Sequence, residues 1–276
     1  MKYKTADAYV QGKSHIKKDI PCQDRTYSLN RKNMSIISLS DGAGSRKHSD
    51  IGATILTKEI SNLLYKNFNR LYDADPILVQ KYIVYSLVRL LEKKSLKMDI
   101  NIKELASTLL FVAVKGEKFI AGHIGDGVIG YVKNEEALVL SKPENGEFSN
   151  VTYFLNKKTW QKLKLFKGKL EGISGFILMS DGPESSLYNK SNNSLSKINK
   201  TMIKWLDNYS QKQVKKALKE NIAEFLTKRT IDDCSINLLN ISKAEKIIAV
   251  KKNGNNPIKK NLTKNKGIIF KKIRGN

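Results

Sequence analysis

The tripeptide Ser-Asp-Gly occurs twice in this sequence, each time directly after an apolar run. Asp41 follows MSIISL in the first copy, and Asp181 follows GFILM in the second. Asp232 and Asp233 precede a third apolar run, SINLLNI, and Asp126 lies between two glycines. Carboxylates held at the ends of rigid strands are the ligands that hard cations such as Mg²⁺ and Mn²⁺ prefer. The pattern predicts a metal site if these strands are neighbours in space.

An isolated Asp-Gly pair has another interpretation, because both residues are favoured in turns. On that interpretation Asp126, within the segment GDG, lies at the tip of a hairpin between two strands. The recurrence of the tripeptide after strands favours the metal site over ordinary turns. Spacing alone does not establish that the carboxylates converge.

The elements that must position these carboxylates follow from the spacing of apolar residues. Helices are predicted at 49–71, about 75–96, about 197–209 and 211–228, and Pro76 suits the first turn of the second helix. Strand patterns occupy residues 1–12 and the runs MSIISLS, STLLFVAV, KFIAGHIG, GVIGYVK, EALVLS, GFILMS and SINLLNI. The four strands after the first helix pair are predicted to form a β-meander. Because the order lacks a βαβ alternation, we expect an α+β fold.

Charge is the second marked feature of the sequence. The 276 residues carry 50 Lys and Arg against 26 Asp and Glu, a net charge of +24. Residues 243–276 alone hold 11 basic residues and one Glu. A basic chain suits nucleic acid, an anionic membrane or an acidic protein as partner, while a Lys- and Asn-rich coding bias explains the charge equally well. Nucleic acid is not favoured, because no nucleic-acid motif is present and the segment has one aromatic residue, Phe270.

Compartment predictions rest on what the sequence lacks. No apolar run approaches the roughly 18 residues that a membrane span needs. The segment MKYKTADAYV lacks the apolar core of a secretory signal. Two cysteines, Cys22 and Cys234, form no disulfide framework, and we interpret both as small buried side chains. We expect a cytoplasmic protein with no membrane span.

Seven segments, in chain order, resemble the metal-dependent, type 2C serine/threonine protein phosphatases, especially the compact bacterial members. They are CQDR, SDGAGSRKHSDIGA, ASTLLFVAV, GHIGDGVIGYV, GEFSNVTYFL, GFILMSDG and DDCSINLL, and they span about residues 5–241. The resemblance implies a four-layer αββα sandwich, in which two antiparallel sheets are flanked by helix pairs and the metals lie in a cleft at one edge. It implies a catalytic domain at 1–242 and leaves 243–276 as a basic, flexible tail.

The resemblance also implies a role for each site residue. Asp41 matches the aspartate that bridges two metals, and Gly42 matches the glycine whose carbonyl binds one of them. Asp181 and Asp232 match the carboxylates that complete the first metal. Asp233, a further candidate ligand, takes the place of the Asn in the family pattern D-N-x-T.

Two more aspartates and a histidine complete the candidate set. Asp126 matches the aspartate that helps hold a third, weaker metal in some members. Asp24 matches the acidic residue of the first motif, which binds metal directly or through water. His15 lies near the position where the family has a phosphate-binding Arg, so we assign it a phosphate or proton role. The remaining histidines, His48 and His123, are interpreted as structural.

Two positions depart from the family pattern. Gln23 stands where eukaryotic members have a metal-binding Glu, and Ala43 stands where they have a His proposed as general acid. A non-catalytic domain that binds a phosphoprotein is therefore the alternative function. The principal prediction is hydrolysis of phosphoserine and phosphothreonine in proteins by a water activated at two Mn²⁺ or Mg²⁺ ions, with a third ion as an option.

Partners follow from that activity. The resemblance implies a phosphorylated protein substrate and a cognate serine/threonine kinase, and the basic tail suits docking of an acidic partner. The polar segment 183–197 is expected to be a mobile loop near the active site.

Overall fold

Two antiparallel sheets of five strands each form the centre of the protein. The structure, a computed structural model, describes residues 1–144 and 152–242. The strands in these residues are β1 (Lys2–Val10), β2 (Arg25–Arg31), β3 (Met34–Ser40), β4 (Leu109–Lys115), β5 (Lys118–Ile124), β6 (Val128–Lys133), β7 (Glu136–Ser141), β8 (Lys164–Lys169), β9 (Ile173–Met179), β10 (Tyr188–Asn189), β11 (Ser194–Leu195) and β12 (Cys234–Ser242).

The described residues also form six α-helices. They are α1 (Lys13–Lys17), α2 (Ser49–Asp73), α3 (Pro76–Met98), α4 (Glu184–Leu187), α5 (Ile198–Asn208) and α6 (Gln211–Asn221), with 3₁₀ helices at Ile102–Leu105 and Lys157–Lys162 and a π-helical turn at Ile222–Leu226. No helix in the described part of the chain is long and apolar enough to cross a membrane.

The strand order defines four layers. One sheet has the order β1-β12-β9-β6-β7, and the other has the order β2-β3-β4-β5-β8. Helices α5 and α6 pack against the first sheet, and α2 packs against the second with α3 beside it. The predicted α+β fold, a sandwich of two antiparallel sheets flanked by helix pairs, is therefore confirmed.

Strand β3 shows why an uninterrupted apolar run belongs at the centre of this sandwich. Successive side chains of a strand point to opposite faces. Ile36 packs in the core between its sheet and the helices, whereas Ile37 and Leu39 pack in the core between the two sheets. Because both faces of β3 are covered, all seven of its residues are buried. Asp41 follows immediately, so it stands on a rigid support.

A buried amide links the two sheets near the same edge. The side chain of Asn237, in β12, donates to the backbone oxygens of Tyr27 and Ser38 at 3.0 and 3.1 Å. Its oxygen accepts a hydrogen bond from the Ser28 hydroxyl at 3.0 Å. Asn237 is fully buried, so loss of these bonds would leave polar groups unsatisfied. The link fixes β12 relative to β2 and β3.

The helix predictions agree with the structure to within two residues for α2 and α3. The Asp75 side chain caps α3 by accepting from the backbone N–H groups of Ile77 and Leu78 at 2.9 and 3.1 Å. Pro76 occupies the first turn, where its missing N–H is not needed. The fourth predicted helix is shorter than expected, because α6 ends at Asn221 and a π-helical turn follows.

The predicted single β-meander is wrong. β4 pairs with β5 in one sheet, whereas β6 pairs with β7 in the other. The segment GDG therefore carries the chain across from one sheet to the other, and it is not the tip of a hairpin. Asp126 lies in this crossover.

Segment 183–197, for which a loop was expected, contains regular secondary structure. It forms α4 and a two-stranded hairpin of β10 and β11, with Tyr188 opposite Leu195 and Asn189 opposite Ser194. The predicted basic tail, 243–276, and part of the motif GEFSNVTYFL lie outside the described residues.

Candidate metal centre

Asp41 is fixed by hydrogen bonds between its own backbone and the start of the next strand pair. Its N–H donates to the hydroxyl of Thr108 at 2.9 Å, and the N–H of Thr108 donates to its carbonyl at 2.8 Å. The hydroxyl of Ser40 donates to the Thr108 carbonyl at 2.5 Å. These bonds involve only the backbone of Asp41, so they leave its carboxylate available for other contacts.

The serine of the second Ser-Asp-Gly tripeptide has a comparable role. The hydroxyl of Ser180 donates to the Oδ2 of Asp24 at 2.7 Å and accepts from the N–H of Ser235 at 3.0 Å. Ser180 thus joins the end of β9, the start of β12 and the loop before β2. Asp24 and Asp181 are brought to the same edge of the sandwich as a result.

Asp126 reaches this edge from the crossover between the sheets. Gly125 precedes it with a φ of +121°, a conformation that side chains disfavour. The hydroxyl of Thr152 donates to the Oδ2 of Asp126 at 2.6 Å. Asp126 therefore lies at the edge where the chain passes between the two sheets, the same edge at which Asp41 and Asp181 follow their strands.

Asp233 is buried and is the most heavily hydrogen-bonded of the candidate carboxylates. Its Oδ1 accepts from the N–H of Gly12 at 2.7 Å, and its Oδ2 accepts from the N–H of Gln23 at 2.6 Å. The Nδ1 of His15 lies 2.9 Å from the same Oδ2. A Cβ on Gly12 would lie 2.2 Å from the backbone of Asp232, so only glycine allows this close approach. Asp233 therefore joins the start of β12 to the segment of Gly12 and His15 and to the loop of Gln23. Its metal-binding role stays a prediction.

Electrostatic repulsion shows that five of the predicted carboxylates share one region. The pKa of Asp41 is raised well above its ordinary value, first by burial and then by the carboxylates of Asp24, Asp181, Asp126 and Asp232. Burial and the neighbouring Asp233 raise the pKa of Asp24 to about 8, although the hydrogen bond from the Ser180 hydroxyl acts in the opposite direction. Burial and Asp232 raise the pKa of Asp181 to about 7.

Comparison with known proteins identifies the family. A family profile described as "Protein phosphatase 2C" matches residues 11–226. The chain belongs to this family. The matched range includes Asp24, Asp41, Asp126 and Asp181, and it ends before Asp232. Membership of the protein phosphatase 2C family makes the chain a metal-dependent protein phosphatase, a hydrolase of phosphoric monoesters.

Named relatives support the assignment. Serine/threonine-protein phosphatase 3 of Escherichia coli (strain K12) is 23% identical over 203 residues, which cover 70% of this chain and 79% of that protein. The S. agalactiae serine/threonine phosphatase has a TM-score of 0.61 at 15% identity, with 87% of this chain and 100% of that chain covered. The catalytic domain of the phosphatase PstP, solved with two manganese ions, has a TM-score of 0.59 at 13% identity and covers 87% and 99%. At these identities the solved structures support the fold.

The candidate ligand atoms of this protein phosphatase 2C site are oxygens, the type of atom that Mg²⁺ and Mn²⁺ prefer. Among the buried oxygens of the described residues that have no hydrogen-bond partner are three at this edge of the sandwich, namely Asp24 Oδ1, Asp181 Oδ1 and Gln23 Oε1. Buried carboxylates that repel one another need a compensating positive charge. No group of three or more His, Cys, Asp or Glu side chains in residues 1–144 and 152–242 is arranged as a preformed site for an ion. The case for divalent cations at this site therefore rests on its unsatisfied oxygens and on its negative charge.

Neither cysteine is suited to nucleophilic chemistry. Both are free thiols, and Cys234 is buried. Burial and nearby carboxylates raise the pKa of Cys22 and of Cys234, so the thiolate forms are disfavoured. His123 is likewise a buried residue whose Nδ1 lies 2.8 Å from the hydroxyl of Ser141. Burial lowers the pKa of His123 to about 3, in agreement with its structural interpretation.

Several supporting residues were not found from the sequence. Thr108 and Ser180 hold candidate ligands in place through hydrogen bonds, and Glu184 is a buried acid three residues after Asp181. The repeated serine of Ser-Asp-Gly was the available signal for Ser180. No comparable pattern marks Glu184, which lies in a polar stretch without apolar periodicity.

In the absence of metal ions we expect the free energy of unfolding to rise by about 1–3 kcal/mol when the pH falls from 8 to 6. Asp24 and Asp181 have folded-state pKa values of about 8 and 7, against roughly 3.9 in an unfolded chain. The folded state therefore binds more protons across this window, so a falling pH favours folding. Urea unfolding with a chelator measures the effect. Saturating Mn²⁺ should remove it, and a free energy of unfolding that falls as the pH falls from 8 to 6 in chelator would contradict the electrostatic interpretation.

Proposed function

We propose that the protein hydrolyses phosphoserine and phosphothreonine in proteins at a centre of two divalent cations held by Asp24, Asp41, Asp181 and Asp232. The carbonyl of Gly42 completes the set. Asp126 would contribute to a third, weaker site. The observation that supports this proposal is the convergence of strand ends at one edge of the sandwich, where Ser180, next to Asp181, donates to Asp24 at 2.7 Å. The raised pKa of Asp41, caused by burial and then by the carboxylates of Asp24, Asp181, Asp126 and Asp232, agrees with it.

Bound Mn²⁺ or Mg²⁺ would supply a water of lowered pKa, from about 15.7 toward 7, and positive charge for the phosphate oxygens. The protein's own contribution is to hold the donors rigidly. Asp41 stands at the end of the fully buried strand β3, and hydrogen bonds of 2.9 and 2.8 Å with Thr108 fix its backbone. The hydroxyl of Ser180 donates a hydrogen bond to the Oδ2 of Asp24 at 2.7 Å and so fixes this carboxylate. Asp24 therefore keeps its other oxygen, Oδ1, for a ligand.

His15 is proposed to contact the phosphate group of the substrate, with Asp233 as the residue that positions its ring. A hydrogen bond from Nδ1 to Asp233, at 2.9 Å, places the ring so that Nε2 faces Gly44. Gly44 lies in the loop that follows Asp41 and Gly42. When the ring carries a proton on both nitrogens, Nδ1 donates to Asp233 and Nε2 would donate to a phosphate oxygen on the Gly44 side of the ring.

Phosphate release from a phosphothreonine peptide, measured over a titration of Mn²⁺, tests this function. We expect release that depends on Mn²⁺, that is similar for phosphoserine and much weaker for phosphotyrosine. In Asp181→Asn we expect release to decrease about a hundredfold, because this change removes one charged ligand. Release that does not depend on a divalent cation would overturn the proposal.

The alternative of a non-catalytic phosphoprotein-binding domain rests on Gln23 and Ala43. It is less well supported, because the aspartates at positions 41, 181 and 232 are all retained. Peptide binding without any phosphate release in Mn²⁺ would favour that alternative.

A cognate serine/threonine kinase and a cytoplasmic location are further parts of the proposal. The basic segment 243–276 is proposed to dock an acidic partner. Deletion of this segment should weaken partner binding at low salt, because electrostatic attraction is strongest there, and should leave hydrolysis of nitrophenyl phosphate intact. Unchanged partner binding at low salt would contradict the docking role.

A further inference from the structure

A cavity of about 380 Å³ lies beside the candidate metal centre. Its lining residues belong to the segment of α4 and β10, and they are Glu184, Ser185, Tyr188, Asn189 and Lys190. The N–H of Glu184 donates to the carbonyl of Asp181 at 3.0 Å, so the cavity is joined directly to a proposed metal ligand. A protein substrate whose phosphate reaches Asp181 would place a neighbouring residue here.

Glu184 is the residue that gives the cavity its chemistry. It is 5% exposed, and its Oε2 lies 2.9 Å from the ammonium of Lys190. Its Oε1 is buried and accepts no hydrogen bond from any described residue. A buried carboxylate oxygen without a donor costs free energy. Glu184 lines the cavity and its carboxylate keeps unused acceptor capacity, so it suits a ligand that brings a hydrogen-bond donor, preferably a charged one.

Lys190 shows that a cation is stable at this position. Its side chain is 68% exposed, whereas the Glu184 side chain is 7% exposed. A flexible surface lysine gains little from such a pair, so another cation can displace it. The hydrogen bond from Lys190 also leaves Oε1 unused.

The other lining groups favour an organic cation over a metal ion. Glu184 is the only carboxylate among the five lining residues, whereas Mg²⁺ and Mn²⁺ prefer several oxygen ligands. Tyr188 is 7% exposed and offers an aromatic wall. Such a wall suits the apolar stem of a long basic side chain or the plane of a guanidinium.

We propose that this cavity binds an arginine or lysine side chain close to the phosphorylated residue of a protein substrate, and that Glu184 selects for it. The proposal rests on the proposed function, because it assigns a substrate preference to the same active site. The overall charge of +24 repels basic peptides. A measured preference for a basic residue at one position would therefore have to come from a local contact such as the one with Glu184.

A set of phosphothreonine peptides tests the proposal. Each peptide is neutral apart from the phosphate and carries a single Arg at one position, from three residues before to three residues after the phosphothreonine. For the wild type in saturating Mn²⁺, we expect Arg at one position to raise kcat/KM about tenfold over the peptide without Arg. Citrulline at that position, which is neutral and similar in shape, should remove the gain.

The ratio of kcat/KM values within each variant is the readout, so a change in absolute rate does not affect the result. In Glu184→Gln the ratio should fall to about one. In Lys190→Ala it should stay at least as high as in the wild type, because the competing ammonium is gone. Glu171→Gln removes an exposed carboxylate at the opposite end of β9, and its ratio should equal that of the wild type.

The outcomes separate this inference from the proposed function. Absence of Mn²⁺-dependent release from every peptide would overturn both. Release without a preference for Arg at any position, or a preference that persists in Glu184→Gln, would overturn the role of the cavity alone.

Discussion

We expect Asp41→Asn to lower kcat/KM for a phosphothreonine peptide by at least about a thousandfold. Asp41 is the proposed bridge between two cations, so its loss weakens the binding of both. The loss of another ligand weakens the binding of one cation. Asn has nearly the same shape and keeps the backbone bonds to Thr108. The expected loss is therefore one of charge and metal ligation, and steady-state kinetics in saturating Mn²⁺ measures it.

Stability measurements distinguish this loss from misfolding. In the wild type without metal, burial and then four neighbouring carboxylates raise the pKa of Asp41, which means that the ionised form destabilises the fold. Asp41→Asn should thus be at least as stable as the wild type in chelator. Asp99→Asn is a matched control, because Asp99 is exposed and has a φ of +52°, which Asn also tolerates. An Asp41→Asn variant with more than a tenth of wild-type activity would contradict the bridging role.

A second large effect is expected for the stability of Asp233→Ala. The change leaves the N–H groups of Gly12 and Gln23 and the ring of His15 without their acceptor. Each buried donor that loses a charged acceptor costs about 1–3 kcal/mol. We expect a total of about 3–5 kcal/mol, the range typical of a broken buried charged network. Urea unfolding should be measured in Mn²⁺, so that relief of repulsion with Asp24 does not offset the loss.

Asp233→Asn is the comparison variant. It keeps the shape and one acceptor oxygen, so it should be less destabilising than Asp233→Ala. If Asp233 acts by positioning His15, Asp233→Asn and His15→Gln should lower activity by similar factors, and the double variant should be no worse than either. Unfolding free energies within 1 kcal/mol of the wild type for Asp233→Ala would contradict the network described.

The helices and the central strand could be predicted from the sequence, because hydrophobic periodicity reflects local geometry. Strand β8 was missed, since lysines at positions 164, 167 and 169 interrupt its apolar pattern at the edge of a sheet. Lysines on an edge strand discourage pairing with other chains, so the same feature that hides the strand suits its place. The crossover at Asp126 was missed because GDG has the composition of a hairpin turn.

The site could be predicted only in part. The sequence marks carboxylates at strand ends, but their convergence depends on pairs such as Val10 with Cys234, which are distant in the chain. The family resemblance supplied that information. The role of Asp233 could not be predicted, because its partners Gly12, His15 and Gln23 lie more than two hundred residues earlier in the chain.

Anomalous diffraction from crystals grown with Mn²⁺ tests the central claim most directly. We expect two strong peaks near the carboxylate of Asp41, within about 2.0–2.6 Å of ligand oxygens. Asp181 and Asp232 should share one ion with Asp41, and both peaks should disappear in Asp41→Asn crystals. Peaks at other residues, or their absence from crystals of protein that hydrolyses phosphopeptides in the same Mn²⁺ solution, would contradict the claim.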